Sequence, residues 1–411
     1  MSEKKSGQKG YKTEETVRGY FLRAGFFVVR SVPLKHNGDD LTDIDLWIYE
    51  RSGTLARRRT IIDIKDKARP QAAERLFFVK GLAELLQVDG AGVATTDNRR
   101  ALRDLARAHS ILWLDGADIQ RMKDSPELNF NHRLSDEELD ASLREADNKR
   151  GSDYFRTMLS DIKSTIGDRF GAAGANACLA FAQNVAKECI SSHPRSNGAI
   201  AAGRLVYMSA AIAAIALDFY AAEVALRPAA ERIEHLVDAL RYGDNPEVTK
   251  QKLAWAEAAV RDYAPNGSAI ARIVKEKIRL DIMSVPAEGL ATVVAQSARS
   301  DTLFNAAKIL EDAAYSKVAP TFDELPTVAK SFVGAVLDFV GVDRSSFATS
   351  WSNEDVSVVE KSSSPKPVAE ESARPTSSDV SEKGLDQSCE TSQNEASSDN
   401  DTSEPKDLRL I

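Results

Sequence analysis

The sequence predicts an α/β fold, a mixed sheet flanked by helices, followed by an all-helical domain and a disordered acidic tail. Three observations carry this reading. Between residue 11 and about residue 125, stretches of two-residue alternation interleave with stretches of helical period. From about 126 to 350 strand patterns all but vanish and alanine-rich amphipathic segments take over. Beyond Trp351 the composition collapses to Ser, Glu, Asp, Pro, Thr and Lys, with too few apolar residues to offset the entropy of ordering. The expected territories are therefore a flexible lead at 1–10, an α/β head at 11–125, a helical domain at 126–350 and a tail at 351–411.

In chain order, Glu14 to Ala24 places Val17, Tyr20, Phe21 and Ala24 on one helical face, and Gly25 ends the helix. FFVVRSV at 26–32 reads as a strand. The polar loop KHNGDD leads into TDIDLWIYE at 42–50, where Ile44, Leu46 and Ile48 alternate with Asp45, Trp47 and Tyr49. TIIDIKDK at 60–67 is the next strand. A helix is expected from Pro70 to about Gln87, then the strand GVATT, a helix over Asn98–Ala108 and a last strand in SILWLDG. The later helices act as crossovers between parallel strands, whereas the earlier strands form hairpins, so the sheet is mixed. Further on, helices are expected at 171–189, 196–225, 228–241, 247–264 and 267–280, with shorter ones around 288–296, 301–316 and 323–337.

The bulk numbers narrow the classes. The chain is 43% hydrophobic over 411 residues, enough for more than one folded unit. Three cysteines, Cys178, Cys189 and Cys389, without a close CxxC pair, argue against a disulfide scaffold or a zinc ribbon. The most apolar segment, LVYMSAAIAAIAL at 205–217, is too short for comfortable membrane passage and reads as a buried helix; no membrane partner is expected, and the cytoplasm is the default location. The formal net charge is −8, yet residues 1–125 hold 23 basic against 18 acidic side chains, net +5. The segment from 352 onward carries 6 against 14, net −8. A mildly basic head tolerates a phosphate backbone.

Chemistry concentrates in the hairpin 43–50/60–67. With a turn centred near residues 54 and 55, Asp45 is expected roughly opposite Ile64, diagonal to both Asp63 and Lys65. Asp63 and Lys65 are two apart and point to one side of the sheet. Diagonal partners lie within about 8 Å, near enough for one small cation to bridge carboxylates. Crowded, half-buried carboxylates repel one another, and a hard divalent ion relieves both the repulsion and the desolvation. Glu14 ends the apolar stripe of the first helix, where a carboxylate needs a partner. Arg57, Arg58, Arg59, Lys67 and Arg69 flank the cluster and are candidate phosphate contacts. Trp47 and Tyr49 are expected to pack, under the first helix, and Asp66 to be structural.

The segments EETVRGYFLRAGFFVV, DDLTDIDLWIYE, IIDIKDK and GAGVATTDNRRALRDLARAHSILWLDG together resemble the Mrr-like branch of the PD-(D/E)xK, or restriction-endonuclease-like, nuclease superfamily, over residues 11–120. The resemblance implies a catalytic set of Glu14, Asp45, Asp63 and Lys65, the three acids holding the metal and Lys65, their basic partner, orienting the water or stabilising the added negative charge. It implies Mg²⁺, with Mn²⁺ as a substitute, and hydrolysis of DNA phosphodiesters in restriction, repair or antiviral defence. The proline of the signature is absent, Thr42-Asp43-Ile44 replaces the usual DxG approach to the second acid, and Asp63 stands where Gln or Glu is common.

The expected function is thus a metal-dependent endonuclease acting on DNA, its helical domain selecting substrate, forming a homodimer or docking a protein subunit. Two rivals come from other classes. One is a nuclease-like fold without catalysis that binds nucleic acid or protein. The other is a helical assembly scaffold or effector with the head as sensor.

Overall fold

The computed structural model describes residues 2–66, 71–126, 131–168 and 170–351. Lys67 and Arg69, and the tail with its expected disorder from 352 onward, lie outside the described residues.

The first helix, α1 (Ser2–Arg23), begins well before the expected Glu14, so residues 2–10 are helical rather than a flexible lead. It ends where Gly25 takes a positive φ of 93°, a conformation that glycine adopts without penalty. Five strands follow: β1 (Phe27–His36), β2 (Asp39–Arg51), β3 (Arg57–Lys65), β4 (Gly90–Thr95) and β5 (Ile111–Leu114). They form one sheet in chain order, β1-β2-β3-β4-β5. The pairs β1–β2 and β2–β3 are antiparallel, and β3–β4 and β4–β5 are parallel. The parallel pairs are joined by α2 (Ala72–Leu85) and α3 (Arg100–Ala108), as crossovers require. The fold is mixed α/β.

The register of the β2–β3 hairpin differs by one residue from expectation. Leu46 pairs with Ile62, Trp47 with Ile61 and Tyr49 with Arg59, so partners sum to 108 rather than 109. One residue of slip exchanges the faces of a strand. The registered ladder ends at Leu46–Ile62, one residue short of Asp45 and Asp63.

The two faces have different partners. On one, Val17 and Phe21 of α1 meet Val28, Leu46, Ile48, Ile62 and Ile64, joined by Ile119 and Met122 of α4 (Gly116–Asp124). The other face carries Val29, Trp47, Tyr49, Ile61 and Val93, and its core runs without interruption into the helices that follow. Those are α5 (Asp136–Arg150), α6 (Tyr154–Asp168), α7 (Ala172–Ser191), α8 (Asn197–Val224), α9 (Ala229–Tyr242), α10 (Pro246–Tyr263), α11 (Gly267–Met283), α12 (Ala287–Ser297), α13 (Thr302–Tyr315), α14 (Thr327–Phe339) and α15 (Arg344–Trp351). Architecture changes near residue 125, but the hydrophobic core does not.

Trp47 and Tyr49 are packed, as expected, but not under α1. They stack on each other at 6.2 Å and meet Phe170, 5.1 and 6.0 Å away, on the helical side. Helix α8 is the apolar segment anticipated as buried: it is long and apolar enough to cross a membrane by composition, and 94% of its most apolar window is buried inside the protein. Cys178 and Cys189 are both buried, and burial pushes their thiols up to about 12, which leaves them protonated and inert.

Buried charge binds the sheet to the helices. Asp218 of α8 is fully buried and accepts from the Tyr49 hydroxyl at 2.6 Å, from Arg57 Nε at 2.6 Å and from Arg51. On the α1 side, Arg18 donates to Glu311 Oε1 at 2.6 Å and to Asp136 at 3.3 Å. Lys163 bridges Asp136 Oδ2, at 2.7 Å, and the carbonyl of Arg30, at 2.9 Å. Burial alone would raise Asp136, but Lys163, Arg18 and Arg30 together hold its carboxyl well below the usual range.

Candidate active site

Asp45 sits where the β2–β3 ladder ends, one residue beyond the last registered pair, Leu46 and Ile62. Its Oδ2 accepts the backbone N–H of Ile64 at 2.6 Å, so a side chain takes the role a strand carbonyl would otherwise play. Asp63 follows Ile61 on the same face of β3 and pairs in register with Val93 on β4. Lys65, two residues further, pairs with Thr95 at the carboxyl end of these parallel strands. Its Nζ lies 3.6 Å from Asp45 Oδ2 and 4.0 Å from Asp63 Oδ1. Asp45, Asp63 and Lys65 are therefore brought together.

Burial is the main reason that the Asp45 carboxyl is raised to about 6; Lys65 and the Ile64 amide oppose the shift, while Asp63 and Glu14 add to it. A group whose folded pKa exceeds its unfolded value holds more protons when folded. Stability contributed by protonated Asp45 is therefore present at low pH and declines as pH rises from about 4 through 6. Asp45→Asn is expected to stabilise the metal-free protein at pH 7.5 by on the order of 2–3 kcal/mol, and by much less at pH 4. Urea unfolding at the two pH values checks this; an equal effect at both would sink it.

Glu14 is not part of the cluster as expected. It accepts from Arg30 Nε at 3.0 Å and belongs to the ionic network around Glu15 and Glu137. Arg30, which pairs with Leu46 in the sheet, draws Glu14 into that network instead. Among the described residues, no group of three His, Cys, Asp or Glu side chains is close enough to hold a metal ion. Glu15 meets both Arg18 and Arg30.

The flanking cations divide. Arg57 is closed off on Asp218, with only 2% of its side chain exposed. Arg59 donates to the Gln87 carbonyl at 2.6 Å and lies 4.5 Å over the Phe219 ring. Of the three arginines only Arg58 is exposed. Asp66 accepts from Thr13 at 2.6 Å and from Lys123 at 3.3 Å, a structural role as expected. His36 is exposed at the end of β1, opposite Asp39.

The structure adds Arg75 to the cluster. From the first turn of α2 it grips both oxygens of Asp63, with Nε 2.8 Å from Oδ2 and Nη2 on Oδ1. This hydrogen bonding is the largest cause of its raised pKa. No periodic signal marks it, since Asp63 is twelve residues away across a strand-to-helix connection. Arg30 did leave a signal: a cation inside the apolar strand FVVRSV must find buried carboxylates.

No protein-family model matches the chain, and neither does any curated protein or solved structure.

Proposed function

We propose that this protein is a divalent-cation-dependent nuclease that hydrolyses DNA phosphodiesters, with a restriction-endonuclease-like head. The supporting observation is the convergence of Asp45, Asp63 and Lys65, with the ammonium 3.6 and 4.0 Å from one oxygen of each acid. The strand order, an antiparallel meander followed by two parallel additions, is compatible with that head.

The residues fit a hard cation in donor chemistry. Asp45 is raised by burial and by neighbouring acids, a condition that a positive ion relieves. Asp45 and Asp63 would hold Mg²⁺ or Mn²⁺, leaving its other positions to water and phosphate oxygens. When bound, such an ion polarises the phosphodiester and makes its water a better nucleophile. Lys65, on the exposed side of the pair, faces the negative charge that develops on the phosphoryl oxygens and holds it in place. Glu14 contributes through its field at Asp45 and not as a ligand in the arrangement described.

The grip of Arg75 on both Asp63 oxygens favours a second reading, a nuclease-like head that binds without cutting. Incubating the purified full chain with supercoiled plasmid, linear duplex and single-stranded DNA separates the two. Nicking with Mg²⁺ or Mn²⁺, absent with EDTA and absent in Asp63→Ala, supports the nuclease. Binding without cleavage under every condition supports the second reading, and nicking that persists in Asp63→Ala marks a contaminant.

A further inference from the structure

We propose that Arg75 is an exchangeable partner of Asp63: it neutralises that carboxylate until a divalent cation takes the oxygens, then turns to the non-bridging oxygens of a phosphodiester. The inference rests on the nuclease reading of the site and adds to it a residue that couples cation binding to substrate binding.

The geometry makes guanidinium and cation competitors. Arg75 bonds to both Asp63 oxygens, so a metal ligated by that carboxylate must displace at least one of its hydrogen bonds. The ion pair differs from the two deeply buried clamps of the same fold, Arg57–Asp218 and Arg18–Glu311. In Arg57–Asp218 the two side chains are 2% and 0% exposed, and in Arg18–Glu311 0% and 2%. Arg75 is 25% exposed while Asp63 is 7% exposed, so the acid is sealed and the cation faces outward. A displaced Arg75 has water to enter, whereas a displaced Arg57 does not.

Two neighbours prepare the exchange. The Phe78 ring, one helical turn on, lies 4.2 Å from the guanidinium carbon and supports the charge without binding its N–H groups. Lys65 approaches Asp63 from the strand, 4.0 Å away, so the carboxylate keeps a positive neighbour when Arg75 leaves. The planar fork that matches a carboxylate matches two phosphate oxygens equally well, which lysine cannot reproduce. Arg75 thus has two partners of like geometry, one present in the resting chain and one brought by substrate.

Exchange makes the two ligands respond in opposite directions to one substitution. Using the full chain, calorimetric titration with Mn²⁺ is expected to show Arg75→Ala binding about tenfold more tightly than wild type, because a charge-assisted bidentate bond no longer competes. Arg75→Lys, which keeps the charge but loses the fork, is expected to fall between them, and Lys80→Ala, an exposed cation of the same helix, to match wild type. Fluorescence anisotropy with a labelled duplex and Ca²⁺, which ligates carboxylates without supporting rapid hydrolysis, is expected to show Arg75→Ala binding DNA about tenfold more weakly. A merely structural Arg75 would weaken both ligands, and that result overturns the proposal. So does an unchanged Mn²⁺ affinity, or an equal gain in Lys80→Ala, which would reduce the effect to net charge. If wild type cleaves DNA with Mn²⁺ but Arg75→Ala leaves its affinity unaltered, only the exchange fails. If neither protein takes up Mn²⁺, the cation site itself fails, and the exchange with it.

Discussion

Replacing Asp218 by alanine is expected to destabilise the protein by about 3–5 kcal/mol, the usual consequence of leaving buried charges without their counterion. Three donors converge on this carboxylate: the Tyr49 hydroxyl, Arg57 and Arg51. Their guanidiniums are 2% and 4% exposed, so water cannot replace the lost partner without opening the core. The phenol is held strongly protonated, first by burial and then by the adjacent Asp218 charge. Because whole domains are stable by only about 5–15 kcal/mol, a loss of this size shifts a denaturation midpoint far outside experimental scatter. Asp218→Asn keeps two acceptor lone pairs on one oxygen and is expected to lose less. Guanidinium-chloride unfolding of the three proteins measures the difference; a loss below about 1 kcal/mol for the alanine variant would show that the clamp carries no net charge pairing. The result matters for function because this clamp fixes the β2–β3 hairpin, and that hairpin carries both acids of the candidate site.

Lys65→Met is expected to slow Mg²⁺-dependent DNA cleavage by about a hundred- to a thousandfold, the range seen when one preorganised charge-stabilising donor is removed from an active site. The methionine side chain fills similar space, and Lys65 is partly exposed, so the fold is expected to survive. The acids lose the one strand-borne cation that meets them among the described residues, and Mn²⁺ affinity is therefore expected to stay level or to tighten. Single-turnover cleavage of a defined duplex, read beside a Mn²⁺ titration, separates the chemical role from metal loading. A rate within twofold of wild type would remove Lys65 from the chemistry, and with it the central assignment of the proposed function.

The contrast between these two residues shows how legibility varies along the chain. Asp63 and Lys65 announce themselves because a strand has a two-residue period, and no tertiary event can separate residues i and i+2 of a regular strand. The helical segments were equally plain: α8 was expected over 196–225 and spans Asn197–Val224, since alanine-rich apolar periodicity needs no distant partner to be recognised. Register was less legible. Pairing depends on how many residues the hairpin loop absorbs, and a displacement of a single residue separates the expected sum of 109 from the observed 108. Helices α5 and α6 were not singled out, although Ser135 and Glu138 form a capping box at the start of α5.

Glu14, Arg57 and Arg59 were harder still. Each is a charged residue in a segment whose local pattern says surface or active site, and each has its partner fixed by a remote element. Arg57 finds Asp218 across 161 residues, and Arg30, which holds Glu14, finds Glu137 across 107. Electrostatic pairing inside a core depends on distance in space and on desolvation, and neither quantity is written in a local run of residues.

By itself, then, the sequence determined the order of the strands and crossover helices of the head, the shared face of Asp63 and Lys65, the apolar identity of α8 and the mildly basic character of the head. These follow from covalent spacing, backbone period and side-chain chemistry. Only the tertiary structure decided how close Asp45 comes to Lys65, that Glu14 is drawn to Arg30, and that Arg75 closes on Asp63. The physical reason is common to all three: a carboxylate goes to whichever cation is nearest in a low-dielectric setting, and packing chooses that cation.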